Sequence, residues 1–272
     1  MRKILHWKRR PFVYAFVLSV GFALLLSTLR DAAIKNYFIG SAVLYLVLVF
    51  ELYSTKFYAQ DVLSQFKLPP VESKDKNVQL IHHLLLPSFI YIGLVGFVFF
   101  NSLRSIDLLI VTVSFLIFTV LFTNVRAYYE DKFQLEHSTH SIYDIINIIS
   151  LFVFTDSILN LFNYFGMNLY FAAGIIVAMF LLFSVLVLMR YFLLNKHQIG
   201  VLLGTVIAVG VSMVLFIMFG FAFLLISFLV SLLFYYQLAY YNHLRDDTFS
   251  KEILFEYVVV FFILIVLIFG VS

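Results

Sequence analysis

Residues 199–241, IGVLLGTVIAVGVSMVLFIMFGFAFLLISFLVSLLFYYQLAYY, decide the fold class of this chain. The segment contains no Asp, Glu, Lys or Arg. A bilayer core about 30 Å thick needs only about 20 helical residues, so this segment is too long for one span and long enough for two. Gly220 is the residue at which the chain is predicted to turn, and the resulting hairpin must be tight.

The composition of the whole chain agrees with a membrane protein. Sixty-three per cent of the residues are hydrophobic, 12% are charged and the mean hydropathy is +1.03. Soluble domains carry about 45–50% apolar and about 25% charged residues, so this surface would aggregate in water. The sequence therefore predicts an all-α, polytopic transmembrane helix bundle, with residues 1–272 forming a single integral membrane domain.

Nine apolar runs are long enough to be read as spans. They cover residues 12–29, 37–55, 80–100, 108–125, 145–164, 169–193, 199–219, 221–241 and 253–270. With the amino terminus in the cytoplasm, all but three of the 18 lysines and arginines fall on the interior side; the exceptions are Arg30, Lys35 and Arg104. This bias predicts a cytoplasmic amino terminus and an exterior carboxyl terminus.

The charge pattern also bears on partners and location. Most basic residues flank spans, where they set topology, so the net charge of +3 indicates no nucleic-acid partner. The lipid bilayer is the predicted partner. The lack of appended domains favours the inner membrane of a bacterium.

Glu51 and Glu256 lie near interior span ends, where we expect their carboxylates to extend toward water.

The sequence lacks the motifs of several classes of protein. Cysteine is absent, which excludes disulfides and thiolate metal sites. There is no Gly-x-Ser-x-Gly elbow, no phosphate-binding Gly-x-x-x-x-Gly-Lys and no arginine-rich voltage-sensor helix. These absences disfavour a serine hydrolase, an NTPase and a voltage-gated channel.

Asp156 is the strongest single candidate for function. It lies deep within the fifth predicted span, and Asn160 and Asn163 follow on the same helix face. A carboxylate in hydrocarbon costs roughly 2.5–3.5 kcal/mol, so it must be protonated, paired or water-exposed. The two readings are a transport relay formed by Asp156 and Asn160, and a structural hydrogen bond between helices.

A second candidate is a divalent-metal site on the interior side. Glu136, His137 and His140 have helical spacing, and imidazoles three residues apart can bind one metal ion. Asp246 and Asp247 form a tandem acidic pair of the kind that binds magnesium. The alternatives are a solvated interfacial loop for the first group and a simple turn for the second.

Two further features concern helix packing. Small residues recur every four positions in the seventh span, at Gly200, Gly204, Ala208 and Ser212, and this small-residue ladder predicts close contact with another helix. That helix belongs either to the same chain or to a partner. Pro87 predicts a kink near the start of the third span.

Three functions follow from these features. The leading interpretation is a non-enzymatic small permease, or the membrane subunit of a larger complex. The alternative is a cytoplasm-facing enzyme that acts on a lipid or lipid-linked substrate with a divalent metal as cofactor. The third is a membrane scaffold that binds a membrane-protein partner or a second copy of itself through the small-residue ladder.

Overall fold

Every regular element in the described part of the chain is a helix. The computed structural model describes residues 2–31, 33–65, 84–101, 107–129, 136–190, 196–245 and 259. The helices are α1 (Arg2–Arg30), α2 (Ile34–Gln65), α3 (Leu86–Asn101), α4 (Asp107–Tyr129), α5 (Glu136–Tyr164), α6 (Leu169–Arg190), α7 (Lys196–Met218) and α8 (Phe223–Arg245). The predicted all-helical fold is confirmed for these residues.

Six helical segments are long and apolar enough to cross a bilayer. They are Arg9–Arg30, Ile34–Thr55, Asp144–Tyr164, Leu169–Leu188, Gln198–Met218 and Phe223–His243. Two shorter apolar segments are Leu86–Asn101 and Asp107–Thr123. The eight segments correspond to the first eight predicted spans, whereas the ninth, residues 253–270, lies outside the described residues except for Val259. The fold is consistent with a helical, multi-pass membrane bundle.

The chain falls into two compact units, Met1–Ala172 and Ala173–Ser272. In the first unit, α1 packs against α2 and α4, and α3 packs against α5. The centre of this unit holds three buried aromatic rings from three helices, Phe22, Tyr91 and Phe118. Their centroids lie 5.6–6.5 Å apart, which is the range of favourable aromatic contacts.

Hydrogen bonds from tyrosines fix α2 against α3. The Tyr37 hydroxyl donates to the carbonyl of Val95 over 2.6 Å, and the Tyr91 hydroxyl donates to the carbonyl of Ser41 over 2.6 Å. Residue numbers therefore rise along α2 as they fall along α3, so these two helices are antiparallel. Both buried hydroxyls gain the partner that an apolar environment requires.

In the second unit, α6 packs against α8 through aromatic side chains. The Phe234 ring lies 5.5 Å from that of Phe180 and 6.3 Å from that of Phe183. The buried face of α7 carries Val209 and Met213, both fully buried. The described part of this unit is thus built by the apolar faces of three consecutive helices, α6, α7 and α8.

Two glycines end helices in the left-handed conformation. Gly166 follows α5 with φ 62° and Gly220 follows α7 with φ 71°. At each end, the residue after the glycine donates its N–H five residues back, from Met167 to Phe162 and from Phe221 to Phe216. This Schellman pattern satisfies the last carbonyls of the helix. The predicted tight turn at Gly220 is confirmed, since α7 ends at Met218 and α8 begins at Phe223.

The predicted kink at Pro87 remains a prediction. Pro87 is buried in the first turn of α3, and a π turn at Leu84 and Leu85 precedes that helix. Both features are typical of sites where helices bend. Residues 66–83, which include His82 and His83, lie outside the described part of the chain.

Candidate functional site

The candidate site is built around Asp156, in the second half of α5. Its side chain is completely buried. One carboxyl oxygen, Oδ2, accepts a hydrogen bond of 2.6 Å from the side-chain amide of Asn101, the last residue of α3. The same amide also donates to the carbonyl of Phe97 over 3.2 Å. Asn101 is therefore oriented by its own helix and presented to α5.

Two glycines of α3 bring the two helices close enough for this bond. A Cβ atom built on Gly93 would lie 2.6 Å from a methyl of Val153 and 3.1 Å from the backbone nitrogen of Phe154. One built on Gly96 would lie 2.6 Å from Cβ of Ser157. The Ser157 hydroxyl donates to the carbonyl of Gly93 over 2.8 Å. These contacts rise together along α3 and α5, so the two helices are parallel and in close backbone contact.

The other carboxyl oxygen of Asp156, Oδ1, has no hydrogen-bond partner among the described residues. The hydroxyl of its neighbour Thr155 is also buried and without a partner there. An unsatisfied buried polar atom costs about 1–3 kcal/mol, and more if it is charged. A bound proton or cation would remove that cost at Oδ1. The arrangement can thus bind a positive species inside the bundle.

The asparagines predicted beside Asp156 have different environments. Asn160 is half-buried, and its amide donates to the backbone carbonyl of Asp156 over 2.9 Å. Asn163 is exposed. The sequence did not indicate Asn101, because it lies at the end of its predicted span. Depth in the predicted spans could not have paired the two residues, because Asn101 is the last residue of α3 whereas Asp156 lies eight residues before the end of α5.

Two interhelical ion pairs join α1 to its neighbours. Near one end, Arg10 donates to the carboxylate of Glu51 through Nε and Nη2 at 2.8–3.0 Å. Near the other end, Arg30 pairs with Asp107, the first residue of α4. The two arginines are about 30 Å apart along the helix at about 1.5 Å per residue, which matches the thickness of a bilayer core.

The expectation for Glu51 was wrong. Its side chain is only 2% exposed and does not extend toward water. The hydroxyl of Thr55 donates to it over 3.2 Å, and Arg10 lies over the ring of Tyr14 at 5.4 Å from the centroid. Charge pairing across helices satisfies the carboxylate without solvent, and Arg10 lies too far away in sequence to be recognised as its partner. Glu256 lies outside the described residues.

The predicted metal residues are only partly described. Glu136, His137 and His140 lie in the first turns of α5, but their side chains lie outside the described part of the structure, so the metal site stays a prediction. Asp246 and Asp247 lie outside it entirely. Among the described residues, no group of three or more His, Asp or Glu side chains could hold a metal ion.

The face of α5 that carries the two histidines continues into the buried interior. Asn147 follows His140 by seven residues and is only 2% exposed, and its amide nitrogen has no hydrogen-bond partner among the described residues. Asp144, between them, is 6% exposed. The amino-terminal half of α5 therefore buries two polar side chains, Asp144 and Asn147.

The small-residue ladder of α7 meets no helix in the described part of the chain. Gly200, Gly204 and Ala208 are exposed and Ser212 is half-exposed. A Cβ atom built on Gly200 or Gly204 would meet no described atom within 4 Å. The predicted contact partner of this ladder therefore stays a prediction, whether it belongs to this chain or to another.

The second unit contains its own buried polar group. The Ser184 hydroxyl of α6 donates to Oε1 of Gln237 in α8 over 2.8 Å. Nε2 of Gln237 donates to the Tyr241 hydroxyl over 2.9 Å. Each polar atom of Gln237 thus has a partner, so this group is best read as interhelical hydrogen bonding.

Comparison with known proteins adds no functional assignment. The chain matches no protein-family model, no curated protein and no solved structure.

Proposed function

We propose that this chain is a small permease of a bacterial inner membrane, and that Asp156 binds the proton or other cation that is moved or coupled to transport. The observation that supports the proposal is the burial of the Asp156 carboxyl group with one oxygen bonded to Asn101 and the other without a described partner. Ionisable residues in membrane spans are costly and are typically retained for function.

The proposal includes the topology predicted from the basic residues. In this topology the chain has nine spans, a cytoplasmic amino terminus and an exterior carboxyl terminus. Asp156 then lies about 12 Å from the exterior end of α5, at about 1.5 Å per residue over eight residues. At this depth the carboxyl is within the hydrocarbon core, where an ion must travel by binding and release.

Transport by Asp156 can be tested in sealed proteoliposomes that contain a pH-sensitive dye. An imposed potential should drive proton movement, alone or with one of a panel of solutes, through the wild-type protein. The Asp156→Asn variant retains the size of the side chain but cannot exchange a proton, so its flux should fall to that of empty liposomes. Asn163→Ala is the matched control, since Asn163 is exposed.

Two results would reject the permease. One is an Asp156→Asn variant whose flux and pH dependence equal those of the wild type. The other is a wild-type protein that moves no more protons than empty liposomes under any solute tested. Comparable reconstitution of all variants is verified by protein content per vesicle.

A membrane subunit or scaffold is the second candidate, and it is favoured by the exposure of the small-residue ladder on α7. A scaffold requires a helix from a partner or a second copy against Gly200, Gly204, Ala208 and Ser212. Gly204→Leu would separate the backbones. Loss of a copurifying membrane protein, or of a dimer, would support this function; an unchanged complex would reject it.

The enzymatic alternative uses the interior end of α5. His137, His140 and Glu136, or Asp246 and Asp247, would hold a divalent metal that acts on a lipid or lipid-linked substrate. The buried Asp144 and Asn147 on the same helix support a polar site there. Stoichiometric metal in the purified protein, lost in the His137→Ala and His140→Ala double variant, is the expected result; metal-free active protein would reject it.

A further inference from the structure

One face of α1 is apolar and exposed along the whole candidate span. It carries Phe12, Val13, Phe16, Val20 and Leu24, each more than 40% exposed. With 3.6 residues per turn, these positions form one stripe along the helix. The opposite side, which includes Leu18 and Phe22, is fully buried against the rest of the first unit. In a bilayer, this exposed apolar stripe would be available to lipid chains.

The same stripe runs into the basic amino-terminal turns of α1. Arg9 is exposed, and the helical period puts position 2 on the same side as position 9, directly in line with Val13, Phe16 and Val20. The helix is continuous from Arg2, so the two arginine positions are about 10 Å apart along its axis. A headgroup layer extends about 5–8 Å beyond each side of the hydrocarbon core, so these positions span it.

Arg10 does not belong to the exposed basic residues, because it forms an ion pair inside the bundle. Its guanidinium is bonded to Glu51 of α2 and is only 12% exposed, which directs it toward the bundle. The remaining basic residues of the first two turns are Arg2, Lys3, Lys8 and Arg9. The first acidic residue of the chain is Asp31, at the opposite end of α1. This end of α1 thus carries basic residues and no acidic residue.

We infer that the positions Arg2 and Arg9, which we call the arginine stripe, bind the headgroups of anionic phospholipids. The stripe continues a lipid-facing surface, and its guanidinium groups match the phosphate chemistry and the negative charge of such headgroups. A zwitterionic phospholipid offers a phosphate but no net negative charge. The stripe therefore distinguishes the two lipid classes, independently of what the protein transports.

The test compares two lipid environments for the full chain in nanodiscs. One contains phosphatidylcholine alone, and the other contains phosphatidylcholine with phosphatidylglycerol. For the wild type, phosphatidylglycerol should raise the Tm by several degrees, and native mass spectrometry should show several-fold preferential retention of this lipid. High salt should reduce both effects, because it screens charges at an exposed surface.

The Arg2→Gln and Arg9→Gln double variant should lose the lipid preference while its Tm in phosphatidylcholine stays that of the wild type. Lys35→Gln is the matched control, since Lys35 is an exposed cation at the start of α2, and it should keep the preference. If the double variant folds poorly, the lipid preference of the wild type and its salt dependence test the inference. A wild type that shows no preference, a preference unaffected by salt, or a double variant that retains it would overturn the inference.

Discussion

Arg10, in the amino-terminal third of α1, and Glu51, midway along α2, form a bidentate ion pair with side chains that are 12% and 2% exposed. Removing one member of a buried pair leaves an uncompensated charge, which costs about 3–5 kcal/mol. We expect Glu51→Ala to lower the free energy of unfolding by this amount, measured by thermal or denaturant unfolding in detergent.

The double variant Arg10→Met with Glu51→Leu serves as the control for that pair. It removes both charges and leaves apolar groups of similar size, so it should recover much of the lost stability. A single Glu51→Ala variant as stable as the wild type would show that the pair contributes nothing to the packing of α1 on α2.

Close contact between α3 and α5 gives a second prediction. Gly93→Val would push a side chain against Val153 and the backbone of Phe154. Overpacking of this kind costs about 1–3 kcal/mol. Gly204→Val, in an equally helical but open position, should stay within about 0.5 kcal/mol of the wild type. Equal loss of stability in both variants would contradict the described α3–α5 contact.

A third prediction concerns the hairpin between α7 and α8. Gly220 has φ 71°, a conformation that costs a residue with a Cβ atom roughly 1–2 kcal/mol. Gly220→Ala should therefore destabilise the protein, whereas Gly174→Ala, in an open position on α6, should be neutral or stabilising by up to about 1 kcal/mol. Unfolding of the two variants side by side would show no difference if the turn had another geometry.

Helix positions were largely predictable, since each depends on a local property of the sequence. The apolar runs predicted the positions of the eight described helices, and a glycine in an otherwise unbroken run predicted the turn at Gly220. The bounds were less predictable. The second predicted span ends at residue 55, but α2 continues to Gln65, because nothing in the sequence requires a helix to end at the membrane surface.

Contacts between helices were not predictable, because they depend on rotation and register. The regular ladder on α7 indicated close packing, yet the described close approaches are made by glycines of α1, α2 and α3, namely Gly21, Gly40, Gly93 and Gly96. Regular spacing shows that one helix face carries small side chains, but it does not identify the helix that packs against that face. The hydrogen bond between Asn101 and Asp156 was unpredictable for the same reason, because it joins two helices at residues 55 positions apart.

The central claim is that α5 carries Asp156 through a membrane with its Glu136 end in the cytoplasm. The chain has no cysteine, so single cysteines can be introduced at Glu136, the first residue of α5, and at Met167, after the end of this helix. In intact bacterial cells, a membrane-impermeant maleimide should label Met167→Cys but label Glu136→Cys only after the cells are permeabilised. Equal labelling of both positions in intact cells, or labelling of Glu136→Cys alone, would contradict the account.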